Sequence, residues 1–518
     1  MWTSKAKEKA KENLAIITRL ANSIASQRPD DEEAQSRAQA ATALLQDFGI
    51  TPQVPTAGSN RLISASPSEP QHTVKLPAEL YQMIVGFVNT FRQQSGSREP
   101  TLVALSCTCK KLNTFAEEFI YKHPGVLQDS DKKRKFLFSL KIRPTRASLV
   151  RSLLLDWNRH MEHDDPVMDI IASCTNIEFL FVGNGNGNPM MNHVDQLEGL
   201  QLILSTCTRL KSLHYFTRWG SDRVDQNRLG VIEAQRYLSA WISGHPQVKQ
   251  SLGQLETLGL NGPSSSWILQ GSLRYISSNL TSLQLKWNHA LDFSSTPLFD
   301  ISQHCQKLKV LVVSYRLVTT DDLEKACQAW ASTLETLKVD WGVEDKDWVS
   351  NVIPHLRKLK VLFLGKFYCV SVDSIKAIAR AEMSLECISM VNVEGLYWVS
   401  MARTGTLSDA ANEALADMIE AHSSTLRRIT IYPGVVGKLV VQCCMMAKDL
   451  KYLYIELPDD TPPRLIDGFL KSCPELVDFP QTFEKYSDRR SEWKERKKFR
   501  TEVLPMQKKL LEGRILEY

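Results

Sequence analysis

Cys107 and Cys109 stand one residue apart in the stretch TLVALSCTCKK (residues 101–111), followed by two lysines. Thiols at such spacing beside cations are residue types for soft-metal binding or redox chemistry. On a helix, however, the two would point about 200° apart, so they cannot pinch one ion. The adjacent pair Cys443-Cys444 diverges in the same way in a strand or a helix. His160, His163, Asp164 and Asp165 in NRHMEHDDP could in principle ligate a metal, but the run follows a strand and has no distant partner set, so a solvated loop is expected. FLFVGNGNGNP starts as a glycine-rich phosphate loop would, with Gly183 and Gly185. Position 188 is Asn188 where a third glycine is needed, Pro189 follows, and no Lys-Ser/Thr comes after. There is no Gly-x-Ser-x-Gly, no His-Glu-x-x-His and no kinase set. The expectation is a non-catalytic chain with no cofactor and no metal.

The totals bound what else the chain does. At 518 residues it exceeds one ordinary core and must be several domains or a repeat array, and its 43% hydrophobic share suits a folded protein. The formal charge is +5, but residues 484–518 hold eleven Lys/Arg and seven Asp/Glu, which places 11 − 7 = +4 in that stretch. The remainder is nearly neutral, so neither nucleic-acid nor membrane partners are expected. No run of about 18 apolar residues predicts a membrane span. The first 25 residues fit neither a secretory signal nor a transit peptide. Eleven cysteines scattered over the chain suit reduced thiols and a cytoplasmic or nuclear location.

One pattern recurs from residue 150 to 479: an apolar residue, two variable ones, an apolar residue, one variable and usually another apolar. Its first residues are Val150, Ile177, Leu210, Leu255, Leu280, Leu308, Leu334, Leu359, Leu385, Leu426, Leu450 and Leu476. Eight of the eleven spacings lie between 24 and 28; the others, 33, 45 and 41, imply insertions. This is the leucine-rich-repeat period, a short strand and a helical return per turn. One turn is too small to bury its own apolar face, so neighbours must stack into a continuous core. The predicted fold is an α/β leucine-rich-repeat solenoid, a horseshoe with strands on the concave side and helices outside. Cys174, Cys207, Cys305 and Cys473 each fall three residues before a repeat's first apolar residue, where other repeats place Ala or Ser. That position should be small and buried, and the thiols packing groups.

A small all-α module is expected before the repeats. In KLPAELYQMIVGFV, Pro77 suits a helix start, and Leu80, Ile84, Phe87 and Val88 form an apolar face. Leu102, Leu105, Cys109, Leu112 and Ala116 recur at steps of 3 or 4, as one stripe of a second helix. Two short helices cannot bury all of this between themselves, which points to a partner. Through Leu76, Pro77, Glu79, Leu80 and Ile84, then Leu102, Leu105, Ser106, Cys109, Lys110 and Leu112, the segment resembles the F-box. That family docks substrate receptors onto a Skp-type adaptor in cullin–RING ubiquitin ligases. An F-box directly before leucine-rich repeats is the order found in one class of such receptors, and KIRPTRASLVRSLLL resembles the segment that follows the F-box in many fungal members. The chain departs from the family in a longer loop over 89–100 and in Phe119-Ile120-Tyr121 where a tryptophan is common.

The resulting organisation is N-terminal helices (1–50), a linker (51–75), the F-box (76–123), a basic connector (124–149) whose KKRK run reads as a solvated helix end, the solenoid (150–480) and a charged tail (481–518). The resemblance implies a non-catalytic receptor with a Skp-type adaptor and a cullin as partners. Its adaptor contacts would be Leu76, Pro77, Glu79, Leu80, Ile84, Leu102, Leu105, Cys109 and Leu112. The alternative is a leucine-rich scaffold without ligase function. An unidentified protein target is expected on the concave face, because residues flanking the inward leucines point there. One column would present Phe181, His214, Lys338, Phe363 and Tyr454, and another Asp156, Lys286, Asp340, Tyr432 and Glu456. Trp157, Trp287 and Trp341 share the next position, as partner anchors or as plugs closing the core. The target site is thus expected to draw on Trp157, Trp287, Trp341, Lys286, Lys338, Tyr432 and Tyr454.

Overall fold

The computed structural model describes residues 78–476 apart from 92–97, 128, 157–165, 184–192, 217–227, 262–264, 277, 287–297, 314–318, 340–347, 366–369, 392–405 and 458–460. The expected N-terminal helices, the linker and the charged tail lie outside this set. The described residues fall into two compact units, one ending at Gly125 and the other starting at Val126.

The described residues of the first unit form three helices, α1 (Ala78–Phe91), α2 (Arg98–Ser106) and α3 (Lys110–Lys122). The expected single helix through Cys107 and Cys109 is therefore broken, for a local reason. Ser106 Oγ and Thr108 Oγ1 donate back to the carbonyls of Val103 and Leu105, at 2.7 and 2.6 Å. Such bonds offer the backbone an alternative to continuing the helix. Asn113 Nδ2 donates to the Ser106 carbonyl at 2.8 Å, closing the end of α2. Cys109 adopts φ −151°, ψ 163° and caps α3, its Sγ accepting from the Leu112 N–H at 3.4 Å. The break turns the stripe into three faces that meet: Val85, Val88, Leu102, Leu105, Leu112 and Ala116 form one core, with Tyr81, Phe115, Phe119 and Ile120 packed against it. Three helices achieve what two could not.

The second unit begins with the connector. Leu127 pairs alongside β1 (Ser152–Asp156), donating to the Leu154 carbonyl at 2.9 Å and accepting from the Asp156 N–H at 3.2 Å. Helices α4 (Ser130–Ile142) and α5 (Pro144–Leu149) follow Leu127. In the KKRK run Lys132, Arg134 and Lys135 are solvated as expected, but Lys133 is fully buried and its Nζ donates to the Asp156 carbonyl at 2.6 Å. An ammonium is buried only where such acceptors meet it.

Ten more strands follow: β2 (Phe179–Gly183), β3 (Ser212–Phe216), β4 (Thr257–Asn261), β5 (Ser282–Lys286), β6 (Val310–Val313), β7 (Thr336–Val339), β8 (Val361–Leu364), β9 (Cys387–Met390), β10 (Arg428–Val435) and β11 (Tyr452–Glu456). With β1 they form one parallel sheet whose spatial order is the sequence order, so each strand pairs only with its chain neighbours. That is the topology of a repeat solenoid. The long spacing between Leu210 and Leu255 accommodates two helices, Arg228–Gly244 and Pro246–Gly253. The helices of the return segments pack against one another in chain order.

Register explains the apolar pattern. Leu153, Leu180, Leu213 and their counterparts to Leu453 align across the sheet on the helix-covered side, none more than 3% exposed. The twelve residues that open the repeats are buried as well, from Val150 to Leu476. Helix ends are satisfied between turns: Asp322 accepts from the N–H groups of Leu298 and Phe299, at 2.9 and 3.2 Å, and so caps the helix of the preceding repeat. Asn412 Oδ1 likewise accepts from the Gly437 N–H at 2.6 Å.

A second periodicity lies just before the strands. Arg151, Glu178, Lys211, Glu256, Thr281, Lys309, Glu335, Lys360, Glu386, Arg427 and Lys451 occupy one position on successive turns. Their charges alternate, interrupted only by Thr281, until Lys451 follows Arg427. Contacts join Arg151 to Glu178 (3.7 Å), Lys211 to Glu178 (3.6 Å), Lys309 to Glu335 (3.5 Å), Lys360 to Glu335 (3.1 Å) and Arg427 to Glu386 (3.3 Å). Burial alone would raise the Glu335 carboxyl, but the hydrogen bond and charge of Lys360, and then those of Lys309, outweigh it and hold the group below its ordinary value. A carboxyl lowered on folding stabilises above its unfolded-state value, and that contribution fades as pH falls through the folded value.

Core and ladder should separate in denaturation. Leu337→Ala, at a position with no exposure, should cost about 2–5 kcal/mol at any pH. Glu335→Gln should cost less than about 1 kcal/mol near pH 7, and the difference from wild type should shrink progressively as pH falls below the ordinary glutamate value of about 4.3. Urea midpoints at several pH values measure both.

Candidate interaction surface

The side of the sheet away from the helices carries two aligned rows. The first holds Ser152, Phe179, Ser212, Thr257, Ser282, Val310, Thr336, Val361, Cys387, Arg428 and Tyr452. The second, two residues on, holds Leu154, Phe181, His214, Gly259, Gln284, Val312, Lys338, Phe363, Ser389, Thr430 and Tyr454. The expected column of Phe181, His214, Lys338, Phe363 and Tyr454 is thus one continuous row.

Its N-terminal part is closed rather than displayed. Phe181 meets Phe216 edge to face at 4.9 Å, and the His214 ring lies 5.6 Å from Phe179, 6.2 Å from Phe181 and 6.0 Å from Phe216. His214 is buried, which corrects its expected display. It leans over Gly259, where any side chain would collide with the imidazole. Aromatic rings placed this close favour one another over water. Asp156, also expected on display, is buried next to Lys133.

The C-terminal part is open. Tyr452 and Tyr454 are 37% and 53% exposed. The Arg428 guanidinium sits 4.5 Å above the Tyr452 ring, the Lys338 ammonium sits 5.9 Å above Phe363, and Tyr432 meets Tyr454 edge to face at 5.8 Å. Each cation therefore stacks on an aromatic ring of the next strand. The expected alignment of Tyr432 with Glu456 does not occur, because β10 bulges and Val435 takes that place. Gly434, at φ 139°, makes the bulge feasible, and its N–H donates to Glu456 Oε2 at 3.2 Å. Arg428 and Tyr452 were missed from sequence because only positions after the inward leucine were considered; the same alternation one step earlier finds them.

Trp157, Trp287 and Trp341 lie outside the described residues, as do Asp340, the His160–Asp165 cluster and the glycine-rich loop beyond Gly183. Lys286 ends β5 without a described side chain. In the helical unit Leu76 and Pro77 are outside the described residues, and the Leu80 side chain is not described. Glu79 is exposed and Ile84 half-buried. Leu102, Leu105 and Leu112, expected as adaptor contacts, are core residues of the unit, and Cys109 is an exposed cap rather than part of an apolar stripe. Among the described residues, the large apolar side chains that this unit exposes are Met83 and Val103.

The described thiols range from exposed to buried, with Cys387 intermediate. Cys107 and Cys109 are exposed. Cys174, Cys207, Cys305 and Cys473 are buried at the ends of the return segments, and burial pushes their thiols up to about 12, 12, 11 and 12. Among the described residues no group of three or more His, Cys, Asp or Glu is placed to hold a metal ion, and no helix is long and apolar enough to cross a membrane.

No protein-family model and no curated protein matches the sequence. Among solved structures it is similar to a chain of the complex of Rad7 and Elc1 in yeast, at 13% identity and a TM-score of 0.40, covering 71% of this chain and 88% of that one. The fold assignment stands on the sheet itself and not on that likeness.

Alkylation followed by mass spectrometry should label Cys107 and Cys109 in the native protein and spare Cys174, Cys207, Cys305 and Cys473 until denaturant is added, because the thiolate is the reactive form. Cys109→Ser should retain native stability, since a hydroxyl caps a helix at least as well. A melting temperature lowered by that change would contradict the capping role.

Proposed function

We propose that the chain is a non-catalytic receptor of a Skp–cullin–F-box type ubiquitin ligase, the helical unit holding the adaptor and the open face of the sheet holding a target protein. The reading is supported by the F-box-like residues directly before the repeat array. The observation that carries it is the open C-terminal part of the sheet, where Tyr432, Tyr452, Tyr454 and Arg428 are residue types that dominate protein interfaces. Ubiquitin transfer would be performed by other subunits, and the receptor would raise the local concentration of the target's lysines near them.

Among the described residues, adaptor contact would draw on the exposed apolar side chains Met83 and Val103 and on the half-buried Ile84, while Leu76 and Pro77 lie outside the described residues. The burial of Leu102, Leu105 and Leu112 in that unit's own core favours a second reading, a leucine-rich scaffold outside any ligase.

Co-purification separates the two. The receptor reading expects wild type to retain a Skp-type adaptor and Met83→Glu/Val103→Glu to lose it by tenfold or more with an unchanged melting temperature. No retention by wild type, or equal retention by the variant, would leave the scaffold reading. Under either, Phe363→Ala/Tyr454→Ala should lose target proteins without loss of stability, as measured by quantitative mass spectrometry of captured partners.

A further inference from the structure

We infer that the open face recognises an acidic segment of its partner, an extended peptide whose carboxylates meet Lys338 and Arg428. The inference rests on the reading of that face as the target-binding surface and names the chemistry it selects.

Three observations converge. First, the two open rows contain two Lys/Arg, Lys338 and Arg428, and no Asp or Glu among their described residues. The acidic side chains described at the ends of these strands, Asp156 and Glu456, stand two residues further on the same face, where Asp156 is buried and the Glu456 carboxylate accepts from the Gly434 N–H. Secondly, each of the two cations lies over an aromatic ring of the following strand. Stacking fixes a guanidinium's plane and leaves its N–H edge available for two parallel bonds to a carboxylate. Thirdly, the alternating charges just before the strands fail at this end, where Lys451 follows Arg427. Arg427 is joined to Glu386 at 3.3 Å, so Lys451 adds positive charge next to Arg428 and Tyr452 without a further rung of opposite sign among the described residues.

The geometry sets a spacing. Lys338 is on β7 in the second row and Arg428 on β10 in the first, three strands and two residues apart and so about 16 Å at about 4.8 Å per strand and about 3.3 Å per residue. An extended peptide crossing the strands covers that distance in four or five residues, at about 3.3 Å each. Between the cations it would pass Phe363 and Val361, and then Cys387 and Ser389, an apolar and small stretch that suits an aliphatic side chain. Beyond Arg428 lie Tyr454 and Tyr432, which would take a second apolar side chain.

The test uses the full chain, immobilised, and a phage-displayed library of random twelve-residue peptides. The expected outcome is a selected pool at least threefold enriched in Asp and Glu, with acidic positions four or five residues apart and binding that weakens as salt is raised. Selection on Lys338→Glu/Arg428→Glu should lose that enrichment or invert it towards Lys and Arg. The neutral pair Lys338→Gln/Arg428→Gln should lose it without inversion, and melting curves report that each variant is folded. Selected peptides that depend on Phe363 and Tyr454 but show no acidic enrichment, or one unchanged by charge reversal, would overturn the acidic assignment while leaving the face as a binding surface. Selected peptides indifferent to Phe363→Ala/Tyr454→Ala would overturn both. Preference for phosphoserine over glutamate in resynthesised peptides by more than tenfold would replace the carboxylate assignment with phosphate.

Discussion

In every turn of the sheet one carbonyl accepts from two successive N–H groups of the next turn. The Arg151 carbonyl accepts from Glu178 and Phe179, the Glu178 carbonyl from Lys211 and Ser212, and so on to the Arg427 carbonyl with Lys451 and Tyr452. This repeated fork fixes where each strand begins relative to the last. A slip of one residue would turn every inward leucine outward, so the core and the open face inherit their identities from that contact.

Stacking turns creates two surfaces with different obligations. The helix-covered side must be continuous, since a single turn buries too little, and insertions are tolerated only where they return to the same register. The two helices between Leu210 and Leu255 do this, as β3 and β4 remain paired along their length. Caps supplied across turns, by Asp322 and Asn412, tie helix to helix as the sheet ties strand to strand. The open side has no such obligation and can vary. There the chain packs an aromatic cluster around His214 at one end and leaves Tyr452 and Tyr454 in water at the other.

What was legible in the sequence was what periodicity encodes. The opening residues of all twelve repeats, the inward leucines and the four small buried cysteine positions lie where the spacing put them. What was not legible depends on a second partner distant in sequence or on a local competition for hydrogen bonds. Cys109 fits an apolar stripe by arithmetic, yet the hydroxyls of Ser106 and Thr108 and the Asn113 amide end the helix before it. Lys133 reads as solvated among its basic neighbours until the Asp156 carbonyl is placed beside it. His214 reads as displayed until Gly259, on the next strand, leaves room for it to lie flat. The β10 bulge needs both Gly434 and the Glu456 carboxylate across the strand gap.

The charge alternation before the strands belongs to this second kind of information. Exposed pairs of this sort each add little to stability, so the pattern is better understood through what it opposes. Pairing a turn with its next-but-one neighbour would set Glu178 against Glu256, Lys309 against Lys360 and Glu335 against Glu386. Like charges would meet on successive rungs where opposite ones now do. Small energies repeated along an array add, and here they act against the skipped pairings that nearly equivalent turns make easy. By the same argument, Lys451 after Arg427 is a rung where alternation no longer guards register. The excess positive charge is left at the same end of the sheet where Arg428 and the tyrosines face outward, so specification of the fold gives way there to a surface with a sign.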